Sequence, residues 1–443
     1  MKSALPKVLH RIGGKGLLQH VLDTSAALGR AVVITGHGAD EVEAAVAASG
    51  ARFVRQMPQL GTGHAVQQAV PALDDGNATT VVLSGDVPLI RAETIRALAQ
   101  ASGGSRLALL TIQLSDPTGY GRILRAGDAV QGIVEHKDAS AAQRSINEVY
   151  SGVMAAPTVA LKRWLAGLKN DNAQGEYYLT DVVAAAVAEG VAVVASAVAD
   201  EAEVLGVNSP AQLAELERCF QRRNAQALMA AGVRLADPAR FDVRGELVCG
   251  ADVEIDLNCL FEGRVVLGDG VRIGASCVLR DCRVAAGAVI HPFCHLEGAT
   301  VGEGALIGPF ARLRPGAELG AEVHIGNFVE VKNSTLARGA KANHLAYLGD
   351  ATVGERVNYG AGSITANYDG ANKHRTVIGA DVHVGSNCVL VAPVTLGAGA
   401  TIGGGSTINK DAPAGQLTVA RARQATLAGW QRPKKAGKAS PKT

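Results

Sequence analysis

The 443-residue sequence has few aromatic residues, no CxxC pair among its cysteines and almost no net charge. Aromatic residues are 4% of the chain, which argues against an aromatic-rich sandwich core. A formal net charge of +2 gives no electrostatic reason to expect a nucleic-acid partner. The seven cysteines are odd in number, so free thiols in a reducing cytosol are favoured over disulfides or a zinc site.

Long uninterrupted apolar runs are also lacking. The most apolar stretch, residues 182–198, is rich in small residues and contains Glu189, so it does not read as a membrane span. No signal peptide is visible at the amino terminus of the sequence. We therefore predict a soluble, cytoplasmic protein without a membrane span.

Glycine, by contrast, is abundant, and from about residue 265 to 411 it follows an aliphatic residue at a spacing of six. Examples are Leu267-Gly268, Ile273-Gly274, Ile307-Gly308 and Ile325-Gly326. A period of six fits neither a helix nor an ordinary alternating strand, and it is typical of a β-solenoid. Because one coil cannot bury its own apolar face, stacked coils must form the core.

Residues 1–208 follow a different pattern of alternating strands and helices. Apolar runs at 31–35, 79–84 and 107–114 are each followed by polar or Gly-rich turns. Runs of this kind predict a parallel sheet covered by helices on both faces. Ligands of such sheets bind at the carboxyl ends of strands, where Gly85-Asp86 and Gly61-Thr62-Gly63 are expected to lie.

The length and these patterns predict two domains and two shorter segments. Residues 1–208 form the first domain, and residues 209–231 form an amphipathic linker helix with Pro210 in its first turn. Partner binding is the alternative reading of that helix. Residues 232–429 form the solenoid domain, and residues 430–443 a disordered basic tail, for which anchoring to nucleic acid is the alternative.

Four polar turns of the first domain suit phosphate chemistry. They lie at residues 6–7, 59–65, 85–89 and 117–122. Glycine allows close backbone approach, lysine neutralises phosphate, and an aspartate at a strand end can hold Mg²⁺. Each turn alone is more often ordinary loop structure, so the case depends on their combination.

Taken with longer motifs at residues 132–138, 172–181, 312–316 and 367–370, these turns resemble one enzyme family along essentially the whole chain. The family is that of the bifunctional N-acetylglucosamine-1-phosphate uridylyltransferases and glucosamine-1-phosphate N-acetyltransferases. The resemblance implies a Rossmann-like α/β nucleotidyltransferase domain followed by a left-handed parallel β-helix of hexapeptide repeats. It also implies a homotrimer with acetyltransferase sites between subunits, acetyl-CoA and UTP as substrates, and UDP-N-acetylglucosamine as the product for cell-wall and lipopolysaccharide precursors.

For the first domain, the resemblance implies an Mg²⁺ site and a nucleotide-sugar site. The metal would be held by Asp86 and Asn208. The UTP and UDP-N-acetylglucosamine contacts would come from Lys7, Gln56, Gly61, Thr62, Ser84, Gly85, Asp86, Gly121, Glu135, Tyr150 and Asn208. Tyr150 departs from the family, which usually has Asn at this sugar contact.

A second departure concerns the start of the sequence. Family members open with a strand and a Gly-rich loop of the form Leu-x-Ala-Ala-Gly-x-Gly-Thr-Arg-Met, and this sequence starts at what would be that Met. The segment would supply a core strand and the loop that cradles the triphosphate. We therefore expect little uridylyl transfer from the sequence as written. An enzyme with acetyltransferase activity only is the alternative reading.

In the solenoid, basic residues interrupt a repeat that otherwise selects aliphatic residues and glycine. Their clustering near His344 favours an anionic sugar-phosphate pocket over isolated solvated charges. The family places glucosamine 1-phosphate at Arg314, Lys332, Tyr347, Asn358 and Lys373.

His344 is the expected general base for acetyl transfer. A histidine in an apolar repeat is more often structural, but this position matches the family base, and imidazole titrates near neutrality. Glu330 is expected to orient it, and Asn367, Tyr368 and Ser386 to place the reacting groups and stabilise the oxyanion.

The acetyl-CoA site is expected along an edge of the solenoid. Its matching positions are Ala361, Ser386, Gly404 and Arg421. Three of them are small, which suits a thin pantetheine arm but is also what the repeat requires for packing. A non-catalytic repeat scaffold, or a zinc enzyme using His324, His344 and His383, is the remaining alternative.

Overall fold

The structure is a computed structural model, and it describes residues 3–74 and 76–433. The chain divides into two compact units, the first being Met1–Leu247 with Leu260–Arg264 and the second Val248–Cys259 with Val265–Thr443. The part of the predicted basic tail from residue 434 onward lies outside the described residues. None of the described helices is long and apolar enough to cross a membrane.

The first unit combines short strands with helices. Its α-helices are α1 Leu17–Ser25, α2 Ala39–Ala45, α3 Thr62–Ala69, α4 Ala92–Ser102, α5 Ala141–Arg144, α6 Thr158–Ala166, α7 Asp181–Ala188 and α8 Pro210–Ala230. Its 3₁₀ helices are Lys7–Leu9, Ala47–Ser49, Val70–Ala72, Glu201–Glu203 and Pro238–Arg240. Its strands are β1 Arg11–Ile12, β2 Lys15–Gly16, β3 Val32–Thr35, β4 Arg52–Arg55, β5 Thr79–Val82, β6 Leu107–Gln113, β7 Arg122–Ala126, β8 Ala129–Val134, β9 Glu148–Pro157 and β10 Val193–Ala197.

The main sheet of this unit is mixed rather than purely parallel. Its order is β10-β6-β9-β7-β8, with β5 also beside β9. Strands β6 and β10 are parallel, whereas β9 runs antiparallel to β5, β6 and β7. Strands β7 and β8 are joined by only Gly127 and Asp128, a connection length that suits an antiparallel hairpin and excludes a parallel crossover. The expectation of an all-parallel sheet is therefore corrected here.

The interior strand β6 is buried on both faces, as predicted for a sheet covered by helices. Leu107 and Leu109 pack in a cluster with Trp164 of α6. Ala108 and Leu110 belong to a second cluster, which contains Leu98 of α4. Alternate side chains of a strand point to opposite faces, which explains the continuous apolar sequence of this strand.

The second unit is the β-solenoid that the six-residue period predicts. Ten strands of one sheet lie in this unit: Glu254–Ile255, Arg272–Ile273, Val289–Ile290, Leu306–Ile307, His324–Asn327, Lys341–His344, Asn358–Tyr359, His383–Val384, Thr401–Ile402 and Leu417–Thr418. The short strand Arg234–Leu235 lies in the first unit. The other sheet has seventeen strands: Phe241–Cys249, Cys259–Leu267, Val278–Arg280, Arg283–Val284, His295–Glu297, Thr300–Val301, Arg312–Leu313, Ala317–Leu319, Glu330–Lys332, Ser334–Leu336, Tyr347–Gly349, Ala351–Val353, Ile364–Ala366, Thr376–Ile378, Val389–Val391, Val394–Leu396 and Thr407–Ile408.

Parallel pairing between coils sets which residues of the solenoid meet. Ile307 pairs with Ile325 of the next coil, and Ala342 pairs with Tyr359. Tyr359 pairs in turn with Val384, a longer step along the chain, because this coil carries an extra loop at residues 367–376, which we call the excursion. The unit is thus a parallel β-helix with one coil enlarged, in agreement with the left-handed hexapeptide β-helix that the resemblance implies.

Candidate active sites

Three predicted residues meet in the first unit around an ammonium group. Lys7 Nζ donates hydrogen bonds to Asp86 Oδ2 at 2.5 Å and to Asn208 Oδ1 at 2.9 Å. The backbone N–H of Val207 donates to the Asp86 carbonyl at 3.1 Å, which joins the segment that contains Asp86 to the segment that contains Asn208. A carboxylate and an amide oxygen that converge on one cation are also a suitable ligand pair for Mg²⁺.

The loop that contains Gly61 and Thr62 is held by hydrogen bonds on both sides. Gln56 Nε2 donates to the Gly61 carbonyl at 2.9 Å, and the Leu179 N–H donates to Thr62 Oγ1 at 3.1 Å. Gly61 has φ of +108°, and a Cβ there would lie 2.7 Å from the Tyr177 carbonyl oxygen. Glycine is therefore required at this position, and the loop is fixed against the 172–181 motif.

Glu135 presents a half-buried carboxylate beside Gly121. Thr180 Oγ1 donates to Glu135 Oε1 at 2.9 Å, and a Cβ on Gly121 would lie 3.6 Å from the same oxygen. Burial raises the pKa of Glu135 above its ordinary value, and the charges of Asp181 and Asp138 add to that increase.

Tyr150, the residue that departs from the family, is buried in the sheet. Its hydroxyl has no hydrogen-bond partner among the described residues, and burial raises the pKa of the phenol. Nearby, Gly152 has φ of +86°, and a Cβ there would lie 2.9 Å from Ser84 Oγ. Glycine at this position keeps the serine hydroxyl close to β9.

A cavity of about 940 Å³ brings many of these side chains together. Its lining includes six residues predicted from the sequence: Lys7, Thr62, Ser84, Gly85, Glu135 and Tyr150. Of the other predicted residues, Gly61 and Asp86 adjoin Thr62 and Gly85 in the chain. Asn208 accepts a hydrogen bond from Lys7, Gly121 lies beside Glu135, and Gln56 donates to the Gly61 carbonyl.

Strands β3 and β5 also line this cavity. Among the described residues, β3 pairs with β4, and β5 pairs with β9. These pairings do not test the expectation of weak uridylyl transfer, which stays a prediction.

In the second unit, His344 contacts a side chain that the sequence did not single out. His344 Nδ1 lies 2.9 Å from Asn327 Oδ1, and the two residues pair in register between adjacent coils. With the amide oxygen accepting, Nδ1 carries the hydrogen and Nε2 is left as the basic nitrogen.

Glu330, expected to orient His344, has different contacts. Its carboxylate accepts a hydrogen bond from Arg314 Nη1 at 2.8 Å and lies 3.8 Å from Arg312 Nη1. The residue that touches the base is Asn327, which lies one coil before His344. No local signal in the sequence marks this residue, because the pairing depends on the length of the coil that separates it from His344.

The predicted basic residues cluster with one another on neighbouring coils. Arg314 is fixed by Glu330, which pairs in register with Tyr347. Close contact with the Lys373 amine lowers the pKa of Lys332. Two adjacent amines that repel each other are a favourable site for a phosphate dianion, which neutralises both.

Asn367 and Tyr368 stand at the start of the excursion in different environments. Asn367 is buried, and its Nδ2 donates to Asp350 Oδ2. Tyr368 is 61% exposed, and its hydroxyl donates to the Gly370 carbonyl at 2.7 Å. The structure thus places one of them inside the coil and the other at the surface.

The four predicted acetyl-CoA residues are linked from coil to coil. The Asn387 N–H donates to the Ala361 carbonyl, and the Gly405 N–H donates to that of Ser386. Arg421 Nη1 donates to the Gly404 carbonyl at 2.6 Å. Small side chains therefore follow one line, with a guanidinium at its end.

The three histidines of the zinc alternative do not face one another, and two of them contact asparagine side chains. Asn358 Nδ2 lies 3.0 Å from His383 Nδ1, while His344 faces Asn327. In the described ranges, no group of three or more His, Cys, Asp or Glu residues is placed to hold a metal. His324, His344 and His383 are thus not gathered into a ligand set.

The two units define the class of protein: a nucleotidyltransferase domain followed by a hexapeptide-repeat transferase domain. Residues 1–237 match the MobA-like NTP transferase domain family, and residues 298–333 and 375–410 match the bacterial transferase hexapeptide repeats. Both matches agree with the fold described above.

Full-length relatives identify the family. The chain is 76% identical to the bifunctional protein GlmU of Methylibium petroleiphilum, covering 98% of this chain and 96% of the relative. It is 69% identical to that of Paracidovorax citrulli and 60% identical to that of Cupriavidus pinatubonensis, covering 99% of this chain and 97% of each relative. The chain belongs to the bifunctional GlmU family. The resemblance seen in the sequence is confirmed, and the protein is an enzyme with acetyltransferase and uridylyltransferase activities.

Proposed function

We propose that the protein converts glucosamine 1-phosphate into UDP-N-acetylglucosamine in two transfers, one in each unit. The observation that carries the acetyl-transfer half is that His344, with Nδ1 on Asn327, lies on the same two adjacent coils as Lys332, which contacts Lys373. A base next to a phosphate-binding cluster matches a substrate that carries an amine and a phosphate on adjacent carbons.

In the acetyl transfer, the basic residues and Tyr347 bind the sugar phosphate and bring its amine to His344. Nε2 of His344 takes a proton from the ammonium group, and the free amine attacks the thioester carbonyl of acetyl-CoA. The nitrogen of the tetrahedral intermediate loses a second proton to solvent, and the intermediate collapses to the amide. The coenzyme A sulfur leaves with the proton returned by the imidazole. Asn367, Tyr368 and Ser386 stabilise the oxyanion.

The coenzyme follows the line of small side chains. Ala361, Ser386 and Gly404 leave room for the pantetheine arm, and Asn358 borders the sugar. Arg421, whose Nη1 bonds the Gly404 carbonyl, meets the phosphates of the coenzyme.

In the uridylyl transfer, a phosphate oxygen of N-acetylglucosamine 1-phosphate attacks the α-phosphorus of UTP, and pyrophosphate leaves. Asp86 and Asn208 suit a bound Mg²⁺, because their oxygens converge on the Lys7 ammonium at 2.5 and 2.9 Å. When bound, the metal supplies positive charge to the phosphates. Lys7 adds its own charge, and Glu135 with Gly121 and Tyr150 binds the sugar.

We further propose a homotrimer in the cytoplasm. Phe293, Phe310 and Phe328 stack on successive coils, with ring centroids 4.9 and 5.3 Å apart, and each is about half exposed. A continuous exposed aromatic strip supports association between copies. Seven free cysteines support a reducing compartment. Light scattering of the purified protein checks the oligomer, and a monomer or dimer mass contradicts it.

Acetyl transfer from acetyl-CoA to glucosamine 1-phosphate tests the first half of the proposal. His344→Ala is expected to lower kcat by about 10²- to 10⁴-fold, because it removes the base. The matched control is His324→Ala, a change on the same sheet of the solenoid. Near-normal turnover in His344→Ala, at an unchanged unfolding temperature, refutes the assignment of His344.

A further inference from the structure

Asp350 is a buried carboxylate at a corner of the solenoid, between strands Tyr347–Gly349 and Ala351–Val353. Its residue is 5% exposed, and both of its oxygens accept hydrogen bonds from amide side chains. Asn333 Nδ2 donates to Oδ1 at 2.5 Å, and Asn367 Nδ2 donates to Oδ2. Both oxygens of this carboxylate are therefore tied to side chains of the neighbouring coils.

The backbone of Asp350 connects the same coils. Its N–H donates to the Lys332 carbonyl at 3.1 Å, and its carbonyl accepts from the Thr376 N–H at 3.1 Å. Because Asn367 begins the excursion and Thr376 ends it, Asp350 is bonded to both ends. One residue thus closes the base of the loop that carries Lys373.

The backbone conformation at this corner explains only in part why the residue is an aspartate. Its φ is +50°, and aspartate and asparagine tolerate the left-handed corner conformation better than most residues. Asp281 occupies such a corner with φ of +49°, but it is exposed. An asparagine at 350 satisfies the backbone equally well, yet it presents one oxygen where two amide donors need two.

The charge of Asp350 also faces the basic cluster. Burial acts to raise the pKa of its carboxyl, but hydrogen bonds from Asn333 and Asn367, and the charges of Lys373 and Lys332, lower it overall. The carboxylate therefore stays ionised beneath two amines that repel each other, and its negative charge favours keeping both of them protonated for a phosphate.

We propose that Asp350 is a positioning residue for acetyl transfer, which holds the amide of Asn367 and closes the excursion so that Asn367 and Lys373 face the substrate. This inference rests on the proposed function of the solenoid unit. It adds a residue that acts through Asn367 and the two lysines without touching the substrate.

The test is Asp350→Asn, which keeps the size and the corner conformation but removes the charge and one acceptor. We expect kcat for acetyl transfer to fall about 10- to 100-fold and KM for glucosamine 1-phosphate to rise, because Asn367 and Lys373 lose their positions. Asp281→Asn, the control at an exposed corner, is expected to leave both constants unchanged. Equal kinetics in the two variants refute the proposal.

A double-mutant cycle separates positioning from general destabilisation. If Asp350 acts through Asn367, the loss in kcat caused by Asp350→Asn shrinks strongly in an Asn367→Ala background. A loss of the same factor in both backgrounds contradicts that route.

Hydrogen exchange provides a readout that does not depend on turnover. The His374 N–H donates to the Asn367 carbonyl at 2.8 Å, and the Thr376 N–H donates to that of Asp350. In Asp350→Asn, both amides are expected to exchange about tenfold faster or more, while amides of the distant coils keep their rates. Unchanged exchange refutes the closure of the excursion. If the parent protein transfers no acetyl group, the proposed function fails, and this measurement still decides the role of Asp350 in the loop.

Discussion

The hydrogen bond between Asn327 and His344 leads to a prediction with a defined magnitude. Asn327→Ala removes the partner of Nδ1, at 2.9 Å, but leaves the imidazole in place. A neutral side-chain hydrogen bond contributes about 0.5–1.5 kcal/mol, which corresponds to about 2- to 13-fold in rate. We therefore expect kcat for acetyl transfer to fall by about that factor, far less than the loss in His344→Ala.

The assay follows release of the coenzyme A thiol at saturating substrates, for both single variants and for the double variant. Because Asn327 acts only by orienting His344, the double variant should be no slower than His344→Ala alone. Full activity in Asn327→Ala, or losses that multiply in the double variant, refutes the orienting role. Asn343→Ala is the control, since this half-buried asparagine precedes His344 in the same strand.

Three further changes test the sites. Lys332→Ala should raise KM for glucosamine 1-phosphate by about 10- to 100-fold through loss of a charged phosphate contact, while Lys341→Ala, an exposed control, should not. Gly349→Ala places a Cβ 2.2 Å from the Tyr347 hydroxyl, so KM should rise about tenfold as the ring is displaced; an unchanged KM removes Tyr347 from the sugar site. For Glu135, burial raises the pKa of the carboxyl in the folded state above its unfolded value. The protonated carboxyl therefore stabilises the fold at low pH, and this stabilisation is lost as the pH rises through the folded pKa. Glu135→Gln should therefore raise the unfolding temperature relative to the parent at neutral pH but not near pH 4, and a pH-independent difference contradicts this assignment.

The antiparallel direction of strand β9 was not predictable from the sequence pattern of the first unit. Apolar runs such as 107–114 identified buried strands correctly, but strand direction depends on pairing partners far away in sequence. The sequence did contain one local signal, the short Gly127-Asp128 connection between β7 and β8. Such two-residue turns favour an antiparallel hairpin, and Gly127 adopts the positive φ of +58° that they often require.

The solenoid itself and the family followed from the sequence alone, because a six-residue period admits one architecture and the long motifs are specific. The contacts within the site required the tertiary structure. A period of six does not determine how long each coil is or which coil is enlarged. The length of each coil decides which corner side chains meet. The observed register brings Asn327 to His344 and sets Asn333, Asp350 and Asn367 in one hydrogen-bonded row, whereas Glu330 pairs with Arg314. Hydrogen bonds act over about 3 Å, so only the folded register could select these partners.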